Sequence, residues 1–186
     1  MTLPLDGIRV VDLTQVMAGP FCTMLLADLG ADVIKVEPPG TGDLSRSMGG
    51  EGLRLKGDDH APFLALNRNK RSVVLDLKDA GDLARFRALA RTADVLVENF
   101  RPGVARRLGI DWETLSAVDP RLVYVSISGF GQTGPWADRP GFDLIAQAMA
   151  GILSVTGTPG GEPVKCGVPI SDLAAGLYGA VGALAA

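Results

Sequence analysis

The feature that most constrains this chain is alternation: short β-branched runs recur along it, separated by stretches with a helical period. Ile8–Leu13 follows an Asp6-Gly7 turn and predicts a first strand, and Ala31–Glu37, Ser72–Leu77, Val95–Val97 and Leu122–Ser128 predict four more. Between the first two, Phe21–Leu29 reads as a helix, with Pro20 suited to the first helical position and Gly30 to the stop. Asp79–Thr92 carries Leu83, Phe86, Leu89 and Ala90 at helical spacing. Val104–Leu108 and Trp112–Val118, the latter capped by Asp111, predict two short helices, and Asp143–Ser154 a further one. Strands alternating with helices specify an α/β fold, a Rossmann-like open parallel sheet flanked by helices. Pro38 to about Asp59 is Gly-rich and charged and reads as a mobile surface loop.

With 186 residues, 47% of them apolar, the chain is long enough for one domain with a sizeable core. A net charge of −3 gives no reason to expect nucleic acid or an anionic membrane as a partner. Cys22 and Cys166 lie far apart, and with His60 as the one histidine they form no metal-ligand pattern. Both cysteines read as reduced thiols, which, with no signal-peptide pattern at the start, argues for a soluble cytoplasmic protein. No stretch reaches the ~18 apolar residues of a membrane span.

Ligands of open α/β sheets gather at the carboxyl ends of the strands. Here those ends supply Thr14–Pro20, Glu37-Pro38, Asp76–Lys78, Glu98–Pro102 and Gly129–Pro135, a mixture of glycines, an aromatic and cations that suits a phosphate-bearing nucleotide. A dinucleotide reading fails because Ala18-Gly19-Pro20 is not the glycine-rich turn that a pyrophosphate needs. The basic run Asn67–Arg71 and the pair Arg106-Arg107 are open to two readings, phosphate contact or solvated surface. Asp172 stands where a Gly/Pro-rich loop meets an apolar helical segment that runs to the last residue. A carboxylate in a first helical turn is favoured in its charged form, so Asp172 is expected to stay ionised and able to act as a nucleophile. The alternative for Asp172, and equally for Asp143, is a helix N-cap with no chemical duty.

Six ordered blocks carry a resemblance: Leu5–Leu13, Ala18–Pro20, Leu29–Glu37, Asn69–Ser72, Val97–Gly103 and Gly129–Pro135. Together they closely resemble the class III CoA-transferase family, which includes formyl-CoA transferase, carnitine CoA-transferases and α-methylacyl-CoA racemases. The resemblance covers essentially the whole chain and implies that residues 1–186 are the N-terminal portion of the family's large domain, ending within a helix.

It further implies a reaction in which CoA passes from an acyl-CoA to a free carboxylic acid. An aspartate attacks the thioester carbonyl and forms a mixed anhydride. The expelled CoA thiolate converts that anhydride to an aspartyl-CoA thioester, and an acceptor carboxylate completes the exchange. The family's aspartate falls on Asp172. Coenzyme A contacts carry over to Met17 and Ala18, to Leu75, Asp76, Leu77 and Lys78, and to Asn99, Phe100, Arg101 and Arg107. They also carry over to Pro140, Gly141, Phe142 and Asp143. CoA is thus expected as substrate, with no permanently bound cofactor and no metal.

Two departures matter. Pro38 stands where formyl-CoA transferase carries a cation, so no phosphate contact is expected there. Phe142-Asp143 replaces the His-Asp pair of the racemases, and a phenylalanine cannot carry a proton, so transferase is the expected branch. Family members are about twice this long and form interlocked homodimers. The resemblance therefore leaves a rival expectation, a CoA-binding fragment that is inactive or needs a partner, and a weaker one, a nucleotide-binding module without chemistry.

Overall fold

The computed structural model describes residues 2–55 and 59–186. Five parallel strands form one sheet in the order β3-β2-β1-β4-β5. They are β1 (Arg9–Asp12), β2 (Asp32–Glu37), β3 (Lys70–Val74), β4 (Val95–Glu98) and β5 (Val123–Ser126). The α/β expectation is met.

β4 is apolar but for Glu98 and β1 has an apolar centre, because helices cover both faces of a parallel sheet. Val10, Val11, Leu96 and Val97 are all fully buried. Successive residues serve opposite faces. Val11 and Leu96 join Phe86, Ala90, Ile110, Leu115 and Leu122 in one core, beneath α3 (Ala80–Ala90), α4 (Val104–Leu108) and α5 (Trp112–Ser116). Val10, Val95 and Val97 join Cys22, Leu26, Ala27 and Ala180 in the other, beneath α1 (Ala18–Asp28) and α7 (Ile170–Ala185). Of the remaining helices, α2 (Ala61–Leu66) packs against α1 and α6 (Asp143–Met149) against α7.

Several boundaries differ from the sequence reading, each for a local reason. α1 begins at Ala18, so Pro20 is its third residue; no N–H is lost there because first-turn donors have no intrahelical partner. β3 begins at Lys70 and ends at Val74, because Lys70–Val74 is the stretch in register with Val33–Glu37. The helix expected over Asp143–Ser154 stops at Met149; Gly151 at φ 80° turns the chain into a separate 3-10 turn, Ile152–Val155.

The first half of the expected mobile loop is instead anchored at Asp43–Arg46. Asp43 and Ser45 are buried, and Leu44–Ser47 forms a 3-10 turn. Arg46 grips both Glu37 carboxylate oxygens, at 2.7 and 2.8 Å, and stacks on Phe63 at 3.6 Å. His60, just past that loop, is buried too, with Nδ1 2.9 Å from the Met48 carbonyl. Lys56–Asp58, part of the same expected loop, lie outside the described residues.

Candidate functional site

The strand order reverses between β1 and β4, and crevices at such a reversal are where open α/β sheets hold ligands. A cavity of about 490 Å³ lies there. Its wall is built from the β1–α1 loop, the loops after β4 and β5, the segment entering α6, and the first turn of α7.

The β1–α1 loop is held from below by buried charge. Asp12 accepts from the Thr14 backbone N–H (2.8 Å), the Thr23 hydroxyl (2.7 Å) and Lys70 Nζ (3.0 Å). Lys35 donates to the Thr14 carbonyl at 2.7 Å and pairs with Asp43 at 2.8 Å. Two lysines and two aspartates thus balance inside the protein, the condition under which buried charge is tolerated. Burial alone would raise the Asp12 carboxyl, but Lys35 and Lys70 together bring it below its ordinary value. Asp43 also accepts from the Val16 N–H at 3.1 Å, and Val16 is held at φ 69°, an outlier for a β-branched residue. Asn99 clasps Gln15 twice, accepting from its N–H at 2.9 Å and donating to its carbonyl at 2.8 Å. The loop that faces the cavity is therefore fixed at three consecutive residues.

This network settles one open reading from the sequence. Lys70 is an internal ion-pair partner, while Arg68 and Asn69 bind Asp28 and Arg71 binds Asp32. The Asn67–Arg71 run fastens β3 to its neighbours and lines no part of the cavity.

Asp172 is the third residue of α7 and lines the cavity. Gly176, one turn on, sets its place: a Cβ built there would lie 2.4 Å from the Ala18 carbonyl oxygen. Only a glycine lets α7 approach the start of α1 this closely. Asp172 accepts no hydrogen bond and forms no ion pair among the described residues. Burial and the nearby negative charge of Asp143 push its carboxyl above the ordinary value. The expectation that the helix start would favour the ionised form takes no account of these two effects, both of which favour the neutral acid.

Neither aspartate is an N-cap of its own helix. Pro169 caps α7 and Phe142 caps α6, both without a side-chain bond. Asp143 instead serves the other helix: its Oδ1 accepts the Ser171 N–H of α7 at 2.9 Å, and its Oδ2 accepts from Gln147 at 2.6 Å. Gln147, fully buried, also accepts from the Cys166 N–H at 2.8 Å. Sequence reading missed Gln147, since a lone amide in an apolar helical pattern gives no signal of its own.

Ten residues singled out in the sequence meet at this cavity: Met17, Ala18, Asn99, Phe100, Arg101, Pro140, Gly141, Phe142, Asp143 and Asp172. Five do not line it: Leu75, Asp76, Leu77, Lys78 and Arg107. Leu75–Lys78 follow β3, the far edge strand, where Leu75 joins the core and Asp76 and Lys78 shape the turn into α3. Arg107 is exposed on α4. Gln15, Val16, Leu44, Phe130 and Arg139 line the cavity without having been singled out as ligand contacts. Among the described residues no group of acidic, His and Cys side chains could hold a metal ion, and no helix is long and apolar enough to cross a membrane.

The sequence model described as CoA-transferase family III matches residues 5–186. The chain is 52% identical to the acetyl-CoA:oxalate CoA-transferase of Acetobacter aceti over 94% of its own length and 44% of that protein's. It is 47% identical to the succinyl-CoA:glutarate CoA-transferase of Mus musculus, over 96% of its length and 41% of that protein's. A CAIB/BAIF family protein from Brucella suis superposes on the whole chain with a TM-score of 0.94 at 44% identity, using 49% of that structure. The chain thus spans less than half the length of these curated relatives.

Proposed function

This chain belongs to CoA-transferase family III, and from that premise we propose that it carries the nucleophile and part of the CoA site of an enzyme moving CoA from an acyl-CoA to a carboxylic acid. The observation that carries the reading is Asp172: a carboxylate on the cavity wall, half buried, with no hydrogen bond or ion pair among the described residues to occupy it. A carboxylate tied into an ion pair would be a poor nucleophile; one without partners and partly desolvated is suited to attack a thioester.

In the proposed sequence an Asp172 oxygen adds to the acyl carbonyl, and the carbon–sulfur bond breaks to give a mixed anhydride and CoA thiolate. The thiolate then attacks the Asp172 carbonyl carbon and releases the donor acid, leaving an aspartyl-CoA thioester. The acceptor carboxylate displaces the thiolate to form a second anhydride, and the thiolate takes the acceptor acyl group, regenerating Asp172. Every step exchanges oxygen and sulfur at a carbonyl, with no oxidant and no metal in the balance. The strapped loop Gln15–Ala18, with Asn99, Phe100 and Arg101, is proposed to receive coenzyme A. Leu75–Lys78 and Arg107, which lie off the cavity, are proposed to meet more distant parts of that long substrate.

Arg101 and Arg139 line the cavity without a carboxylate partner among the described residues. Oxalate and glutarate, the acids in the relatives' names, are both dicarboxylates. A short dicarboxylic acid is therefore the proposed acceptor class, its second carboxylate suited to a guanidinium.

A second reading rests on α6 and α7. Leu144, Ile145, Met149, Leu177, Tyr178 and Val181 are exposed, Tyr178 by 75%, and the chain spans less than half of its relatives. On this reading the chain binds CoA but needs further polypeptide, and a dimer, for turnover. The test is CoA exchange from succinyl-CoA to glutarate or oxalate, followed chromatographically. New acyl-CoA that Asp172→Ala fails to produce supports the first reading. No exchange alone, with exchange on adding the remaining length supplied by a relative, supports the second.

A further inference from the structure

We propose that Gln147 is a positioning residue for Asp172, acting through Asp143 and the turn that starts α7; the proposal rests on the reading of Asp172 as the nucleophile. Three points of the incoming segment are pinned to one face of α6. Asp143 and Gln147 are four residues apart, so they lie one turn apart on the same side of that helix. Gln147 Oε1 accepts from the Cys166 N–H at 2.8 Å, and Nε2 is 3.4 Å from the Val168 carbonyl. Asp143 Oδ1 accepts the Ser171 N–H at 2.9 Å. The next residue is Asp172.

The amide orientation follows from its partners. Nε2 faces the Asp143 carboxylate at 2.6 Å and Oε1 faces a backbone N–H, so a flipped amide would set oxygen against oxygen and N–H against N–H. Gln147 thus holds Asp143 in the rotamer that receives Ser171. Asp143 in turn supplies the cap that Pro169 lacks. The purpose of placing a carboxylate there, next to a second one, is to fix the start of α7 while keeping Asp172 itself free of hydrogen bonds. Besides Asp172, the charged groups that line the cavity are Asp143 from α6, Arg139 from the loop before it and Arg101 from the loop after β4; of these Asp143 is the one whose charge acts on the Asp172 carboxyl.

Two near-isosteric substitutions separate positioning from simple structure. Gln147→Met keeps the shape and removes the amide, leaving Asp143 Oδ2 and the Cys166 N–H without the partners that Gln147 supplies. Gln147→Glu keeps the hydrogen bonds only while the introduced carboxyl is protonated and able to donate to Asp143. Both would be read by the rate of covalent CoA adduct formation with succinyl-CoA across pH, and by 13C NMR titration of the Asp172 carboxyl carbon.

Gln147→Met should slow adduct formation on the order of 10- to 100-fold, with the half-saturating succinyl-CoA concentration changed less than about threefold. Compared with the wild type at the same pH, the Gln147→Glu rate should be nearly equal at low pH and fall progressively behind as pH rises and the introduced carboxyl ionises. The Asp172 signal in that variant should titrate at higher pH than in the wild type, from the added like charge. If both variants keep the wild-type rate, pH profile and Asp172 titration, the proposal is wrong. It is equally wrong if they lower only the melting temperature. If the wild type forms no adduct yet the Asp172 titration moves in Gln147→Glu, the coupling stands and the nucleophile reading falls. Should Gln147→Met fail to fold, Gln147→Glu alone decides.

Discussion

In the proposed reaction a single carboxylate carries the chemistry, and its environment sets how it should respond to pH. Burial and Asp143 raise the Asp172 carboxyl above its ordinary value. Since attack needs the ionised form, the acidic limb of the pH–rate profile should lie above the ~3.9 of an unperturbed aspartate. Asp143→Asn keeps the side chain's size and removes one like charge, so it should move that limb to lower pH, as read by adduct formation rate. The same substitution weakens the cap on Ser171, so the maximal rate should fall as well. Glu37 shows the opposite case. Burial alone would raise it, but Arg46, Ser72 and the Asp43 N–H hold it at about 2. A carboxyl depressed on folding contributes stability that is complete above its unfolded value, ~4.3, and is lost as pH falls toward the folded one. Glu37→Gln should therefore lower the melting temperature at pH 7 and flatten its decline between about pH 5 and pH 2. At this scale the sequence was readable where a residue type and a boundary coincide, as at Asp172. It was silent where a role depends on a partner remote in sequence: nothing in Asp43 announces Val16 and Lys35, and nothing in Gln147 announces Cys166.

Elements are placed by a few close approaches that a period cannot reveal. Alternating strand and helix signals gave the sheet and its helices, because burial on both faces leaves a mark on composition. The register of β3 and the break in α6 depended on pairing with β2 and on Gly151 at φ 80°, and both escaped the reading. The loop after β2 looked polar and Gly-rich, yet two of its charges, Asp43 and Arg46, face inward to Lys35 and Glu37. The α1–α7 contact gives the sharpest test. In a helix exposed to water Gly→Ala stabilises by about 1 kcal/mol. At Gly176 the added methyl would meet the Ala18 carbonyl oxygen at 2.4 Å and Phe21 at 3.0 Å. Gly176→Ala should instead destabilise by about 1–3 kcal/mol and impair adduct formation by moving Asp172 off the cavity wall. Gly182→Ala on the same helix meets nothing within 4 Å and should be neutral or stabilising, as chemical denaturation would show.

For the whole molecule, the arrangement is a family III CoA-transferase scaffold whose cavity lies at the sheet's reversal point, with a broad apolar face on α6 and α7 left uncovered. Leu177, Tyr178, Val181 and Leu184 are each at least half exposed on one helix. A patch of that kind drives association. Sedimentation should show mass rising with concentration, and Tyr178→Lys with Val181→Lys should suppress it while leaving the buried Gly176–Ala18 contact intact. The central claim, that Asp172 forms a covalent bond in the reaction, is tested most directly by denaturing intact-mass spectrometry after incubation with succinyl-CoA. The account predicts an increment of one coenzyme A less one water, present in the wild type, absent in Asp172→Ala and removed by hydroxylamine. An increment that persists in Asp172→Ala, or that maps to another residue on digestion, would contradict it.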